Sequence, residues 1–117
     1  MFTNTRSIGL EYESKAETYL LSKGYQILEK NYRCRFGEID IIAKAKDQTI
    51  VFVEVKARSN AKYGTSYEAL TPAKCQKIRK TSNFYILDKK LNWNQSYRYD
   101  VIVFQEGRLE HIVDAFC

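Results

Sequence analysis

A chain of 117 residues with 44% hydrophobic and 28% charged side chains has the size and composition of one globular domain, residues 1–117, and not of a disordered segment. Lys and Arg number 19 against 14 Asp and Glu, a formal charge of +5, which favours polyanionic partners but leaves open a basic protein with no nucleic-acid role. Three scattered cysteines and a single histidine argue against a zinc cluster or a disulfide framework, and the absence of an opening apolar run or a ~20-residue apolar stretch predicts a cytoplasmic protein with no membrane partner.

In chain order, residues Ile8 to Lys23 read as a helix. Tyr12, Ala16, Tyr19 and Leu20 share one arc, Glu13 lies at its edge, and Gly24 ends it. A short strand, Tyr25 to Leu28, leads into the basic segment Lys30-Asn31-Tyr32-Arg33-Cys34-Arg35. Phe36 to Ala43 and Ile50 to Ala57 are strong strands, joined by the polar stretch Lys44 to Thr49 into a hairpin. Arg58 to Leu70 lacks periodicity and reads as a loop. Thr71-Pro72 then supplies the N-cap and first-turn signals of a second helix reaching Asp88 or Leu91. Tyr97 to Phe104 and Leu109 to Phe116 are the last strands, around the turn Gln105-Glu106-Gly107. The predicted order α-β-β-β-α-β-β is an α/β fold with a central mixed β-sheet of about five strands flanked by helices.

Alternation along strands places Glu38, Asp40 and Ile42 on one side and Ile39, Ile41 and Ala43 on the other. On the next strand Phe52, Glu54 and Lys56 share a face, while Val51, Val53 and Val55 form an apolar surface for a helix. A hairpin symmetric about Asp47 puts Ile41 opposite Val53, Ile42 opposite Phe52, Ile39 opposite Val55, Asp40 opposite Glu54 and Glu38 opposite Lys56; a two-residue shift would keep the faces and change the partners. Facing carboxylates require something positive between them. An all-oxygen pair suits Mg2+ or Mn2+, and with Lys56 alongside, the set suits phosphodiester hydrolysis; Glu13 would be a third carboxylate. Spacing alone favours the other reading, an Asp40, Glu54, Lys56 ion network with no metal.

The residues Gly37-Glu38-Ile39-Asp40 and Phe52-Val53-Glu54-Val55-Lys56 resemble the metal site of the PD-(D/E)xK nuclease superfamily. With Gly9, Glu13, Ala16, Gly24-Tyr25, Asn31-Tyr32-Arg33, Gly64, Thr71, Lys74 and Arg98-Tyr99-Asp100-Val101, nearly the whole chain is similar to the bacterial YraN family of endonuclease-like proteins. The resemblance implies a restriction-endonuclease-like domain of the resolvase-like branch, a Mg2+ or Mn2+ cofactor held by Asp40, Glu54 and the Val55 carbonyl, Lys56 as catalytic lysine and Glu13 as helix-borne acid. Where many members have Gly-Glu, this chain has Tyr12-Glu13, which places bulk beside the acid.

DNA is the expected substrate, branched or junction-like in recombination or repair, with a two-fold dimer required to cut both strands of a junction. Arg33, Arg35, Arg58, Lys74 and Lys77 are the candidate backbone contacts, and Tyr63 with Tyr67 the candidate stacking residues. His111 and Cys75 read as structural, and Trp93 as a plug or an interface anchor. The rival function is a non-catalytic nucleic-acid-binding adaptor that keeps the nuclease fold; a third is a protein-interaction domain that binds no nucleic acid.

Overall fold

A computed structural model describes residues 5–58 and 71–115. Its elements are α1 (Thr5–Ser22), β1 (Gln26–Cys34), β2 (Gly37–Lys44), β3 (Ile50–Arg58), α2 (Pro72–Asp88), β4 (Tyr97–Gln105) and β5 (Arg108–Ile112). The five strands form one sheet in the order β1-β2-β3-β4-β5. All neighbours are antiparallel except β3 and β4, which run parallel and therefore need the long crossover in which α2 lies. This is the mixed α/β sheet flanked by helices that the sequence predicts.

Both helices end by the same device. Gly24 at φ +91° closes α1, with the Tyr25 amide donating to the Leu20 carbonyl at 3.0 Å. Lys90 at φ +55° closes α2, with the Leu91 amide donating to the Ile86 carbonyl at 2.9 Å. At the start of α2 the Thr71 hydroxyl accepts from the Lys74 amide at 3.2 Å and Pro72 occupies the first turn, as its sequence predicts.

The core has two layers, one on each side of the sheet. Ala16 and Leu20 of α1 pack on Ile41, Ala43, Val51, Val53, Ile102 and Phe104, with Tyr12 and Tyr19 beside them. Ile78, Tyr85 and Ile86 of α2 pack on Ile39, Ile42, Ile50 and Phe52. Burial on both faces explains why β3 reads as an almost unbroken apolar run.

Two expectations are corrected. The basic segment does not follow a short strand; β1 continues through it to Cys34, because Tyr32 and Arg33 pair with Ile39 and Glu38 while its charged tips stay in solvent. The last strand stops at Ile112 instead of Phe116, since Asp114 turns into the left-handed region at φ +55° and Ala115 returns its amide to the Tyr99 carbonyl at 2.7 Å. Of the two readings of Trp93, its 55% exposure goes against the plug. Among the described residues, no helix is long and apolar enough to cross a membrane.

Candidate metal centre

The predicted hairpin register holds from Lys44 opposite Ile50 to Ile41 opposite Val53, and there the ladder stops. The expected pairs Ile39 with Val55, Asp40 with Glu54 and Glu38 with Lys56 do not form. The Val55 amide donates to the Asp40 carboxylate at 2.8 Å, so a side chain takes the place of a backbone acceptor. Alternation also breaks here: Ile39 packs with Ile42 in the α2 layer, whereas Ile41 and Ala43 belong to the α1 layer. The strict alternation of sides is therefore interrupted between Ile39 and Ile41, at Asp40. Across β1, the Lys30–Ile41 and Tyr32–Ile39 pairs leave Asn31 level with Asp40, and Asn31 is in the left-handed region at φ +53°.

Carboxylates of three elements lie near this point. Glu54 of β3 is 9% exposed and lies close enough to Asp40 for the two carboxyls to compete for one proton. Burial first, then the hydrogen bond and charge of Glu54, push the Asp40 carboxyl up to about 8, against the opposing pull of the Val55 amide. Glu13 of α1 lies near enough for the charge of Asp40 to act on it, and its carboxyl is raised by burial and then by that charge, opposed by a hydrogen bond from Asn31. Glu13 Oε1 is buried with no hydrogen-bond partner. The bulk of Tyr12 does not obstruct this approach, because its ring packs on Phe104 with centroids 5.0 Å apart.

Two lysines complete the centre. Lys56 is lowered chiefly by burial and then by its contact with Lys74, an effect Glu54 opposes. Lys74, on the first turn of α2, holds its Nζ 3.9 Å from Glu54 Oε2. Glu13, Asp40, Glu54, Lys56 and Lys74 are thus brought together as the sequence reading expects. Asn31 is the member it misses as a site residue, although the Asn31-Tyr32-Arg33 motif was a visible signal.

The candidate nucleic-acid contacts are more dispersed. Arg33 pairs with Glu38, which is why Glu38 is unavailable to Lys56. Lys30 pairs with Glu17 at 2.9 Å. The Arg35 guanidinium lies over the Phe36 ring, 4.9 Å from its centroid, and Lys77 is exposed on α2. The Arg58 side chain, Lys62, Tyr63 and Tyr67 lie outside the described residues.

The donor set is hard oxygen throughout, which suits Mg2+ or Mn2+ better than a soft metal. Among the described residues, no group of three or more acidic, histidine or cysteine side chains forms a ready-made cage. That agrees with Mg2+ chemistry, in which one or two carboxylates suffice and water and phosphate oxygens fill the remaining positions.

The motifs that frame this centre are those of a known family. The profile of Uncharacterised protein family UPF0102 matches residues 12–104. The chain belongs to that family. A UPF0102 protein of Clostridioides difficile is 49% identical over 115 residues, covering 97% of this chain and 99% of the relative. One from Syntrophus aciditrophicus is 52% identical over 108 residues, covering 89% and 84%, and one from Fusobacterium nucleatum is 45% identical over 109 residues, covering 93% and 90%. The family membership bears out the whole-chain resemblance drawn from the sequence. Among solved structures, a repair endonuclease from Pyrococcus abyssi overlaps 92% of this chain but only 42% of its own, with a TM-score of 0.41 and 16% identity. An overlap at that level carries nothing about what this UPF0102 chain does.

Proposed function

We propose that this UPF0102 protein is a Mg2+- or Mn2+-dependent endonuclease that hydrolyses phosphodiester bonds in DNA, with branched DNA as its preferred substrate class. The observation that carries the reading is the pair Asp40 and Glu54 on neighbouring strands beside Lys56, with Glu13 of α1 near enough for the charge of Asp40 to raise its carboxyl and with one buried Glu13 oxygen unpartnered. A fold stabilised only by its own ion pairs has no reason to keep that oxygen orphaned.

Asp40, Glu54 and the Val55 carbonyl are the groups that would hold the cation, with Glu13 contributing through solvent or directly. When bound, the metal supplies a Lewis acid for the phosphate and a bound water of lowered pKa. Asp40 must first give up the proton for which it competes with Glu54. Lys56, already biased towards its neutral form by burial, is suited to orient the attacking water or take its proton. Lys74 and the exposed Lys77 are placed to meet substrate phosphates. A dimer would let two such centres act on opposite strands.

The rival, a non-catalytic DNA-binding module, draws on the Glu54–Lys74 pair, which gives one carboxylate a counter-charge without metal. The decisive experiment incubates the protein with linear, flapped and four-way DNA, and with RNA, in Mg2+ or Mn2+, alongside Asp40→Ala and Lys56→Ala. We expect metal-dependent cleavage of DNA that falls at least a hundredfold, on the order set by loss of one acid-base or electrostatic group, in each variant. Cleavage that survives in both variants would overturn the assigned site. Undiminished DNA binding with no cleavage by the parent would favour the module.

A further inference from the structure

We infer that Lys74 is an internal stand-in for the metal: it neutralises Glu54 in the free protein and passes to a substrate phosphate when a divalent cation takes over that carboxylate, so that metal and DNA bind cooperatively. The inference rests on the reading of the centre as a metal site and adds how its two ligands are coupled.

The Lys74–Glu54 separation of 3.9 Å is that of an ion pair and exceeds hydrogen-bonding distance, so the contact carries charge compensation without a fixed bond. The lysine side chain is 38% exposed while that of Glu54 is 11% exposed, so one end is free to move and the other is held in the sheet. The Lys74 backbone is pinned by the Thr71 cap, which lets the side chain swing without disturbing α2. Lys56 and Lys74 lie near enough to Glu54 and to each other for Lys74 to disfavour the charge on Lys56 and for Glu54 to favour it. Once a divalent ion occupies Glu54, both lose their nearby counter-charge, and like charges packed together then require an anion. The first turn of α2, where the helix dipole disfavours a cation and favours an anion, adds to the same bias. A phosphodiester satisfies all of these groups at once.

Coupling of this kind is reciprocal: DNA must tighten metal binding by the factor by which metal tightens DNA binding. The test is a set of Ca2+ and Mn2+ titrations by calorimetry, with and without a short duplex DNA checked afterwards for intactness, on the parent, Lys74→Met, Lys74→Arg and, as a remote charge control, the exposed Lys89→Met. We expect coupling on the order of tenfold in the parent. Lys74→Met should bind metal about threefold to tenfold more tightly than the parent without DNA, because its competitor is gone, and should lose most of the coupling. Lys74→Arg should retain the coupling, and Lys89→Met should match the parent. If Lys74→Met binds metal no more tightly than the parent, or keeps full coupling, the inference is wrong while the metal site stands. A parent that binds neither ion would overturn the metal site itself and this inference with it.

Discussion

Asp40 and Asp100 are both carboxylates set into the middle of the sheet, and their surroundings treat them in opposite ways. Asp100 of β4 is fully buried and satisfied on both oxygens. Arg98 donates to Oδ1 and Oδ2 at 2.8 and 2.9 Å, the Asp114 amide to Oδ1 at 3.0 Å, and His111 Nε2 to Oδ2 at 2.7 Å. Since His111 gives that proton to a carboxylate, its Nδ1 is free to accept from the Tyr19 hydroxyl at 3.1 Å, and Arg98 also donates to the Tyr25 hydroxyl at 2.8 Å. Burial raises the Asp100 carboxyl, yet the bonds from His111, Arg98 and Asp114 together bring it below its ordinary value. Asp40 has one backbone donor and an acidic neighbour, and is pushed up. A carboxylate whose donors are complete serves the fold. One with a single backbone donor and an acidic neighbour inside the same sheet is the carboxylate for which we propose a ligand.

Removing each carboxylate should give the largest contrast. Asp100→Ala leaves Arg98 without its counter-charge and His111 Nε2 without its acceptor in the interior, and should lower unfolding free energy by about 3–5 kcal/mol. Asp40→Asn replaces a buried acid by a neutral amide of the same size that can still accept from the Val55 amide, and should leave the metal-free protein as stable as the parent or more so; denaturant melts of both variants decide this. A large loss in Asp40→Asn would mean that Asp40 serves the fold as Asp100 does.

The pH dependence should separate the two next. The folded Asp40 carboxyl holds its proton up to about 8 against an ordinary 3.8, so the folded state binds more protons across that window and stability falls as pH rises through it. The difference between the parent and Asp40→Asn isolates this slope, and Mn2+ should reverse it, because metal displaces the proton and binds more tightly towards pH 8. Asp100 has the opposite sign. Its folded value is depressed, so its contribution is present above the ordinary carboxylate range and is lost only as pH falls through the folded value. A parent-minus-variant difference that stays flat between pH 4 and 8 would remove the distinction drawn for Asp40.

The smallest effect is expected at the edge of the satisfied cluster. Tyr19→Phe deletes one half-buried hydrogen bond to His111 and should cost about 1 kcal/mol in a thermal melt, with metal binding unchanged. A loss of metal affinity there would join the two clusters through α1, which carries both Tyr19 and Glu13.

Much of this was legible in the chain because it depends on local pattern. The apolar face Val51, Val53, Val55, the helix stop at Gly24, the Thr71-Pro72 start and the first four rungs of the hairpin follow from periods of two and 3.6 and from capping chemistry. Glu13 was suggested by its place at the edge of the helix arc and Lys74 by its first-turn position, and the family motifs strengthened both, since nothing local ties a helix acid to a strand 27 residues on. The basic segment escaped recognition as strand because its lysine and arginines hide the alternation that Tyr32 and Ile27 carry.

The sequence by itself determined the order of elements, the apolar face Val51, Val53, Val55 of β3 and the identity of the acids and lysines, since these are set by side-chain chemistry and short-range spacing. The tertiary structure alone decided which acids are left short of partners and which are satisfied. The same alternation that suggested Asp40 opposite Glu54 gives no sign that the ladder ends at Ile41, that the Asp40 carboxylate accepts from the Val55 amide, or that His111 closes on Asp100 and on Tyr19, 92 residues away. Those outcomes depend on where burial leaves a polar group with or without a partner, and that is fixed only when all the layers are packed.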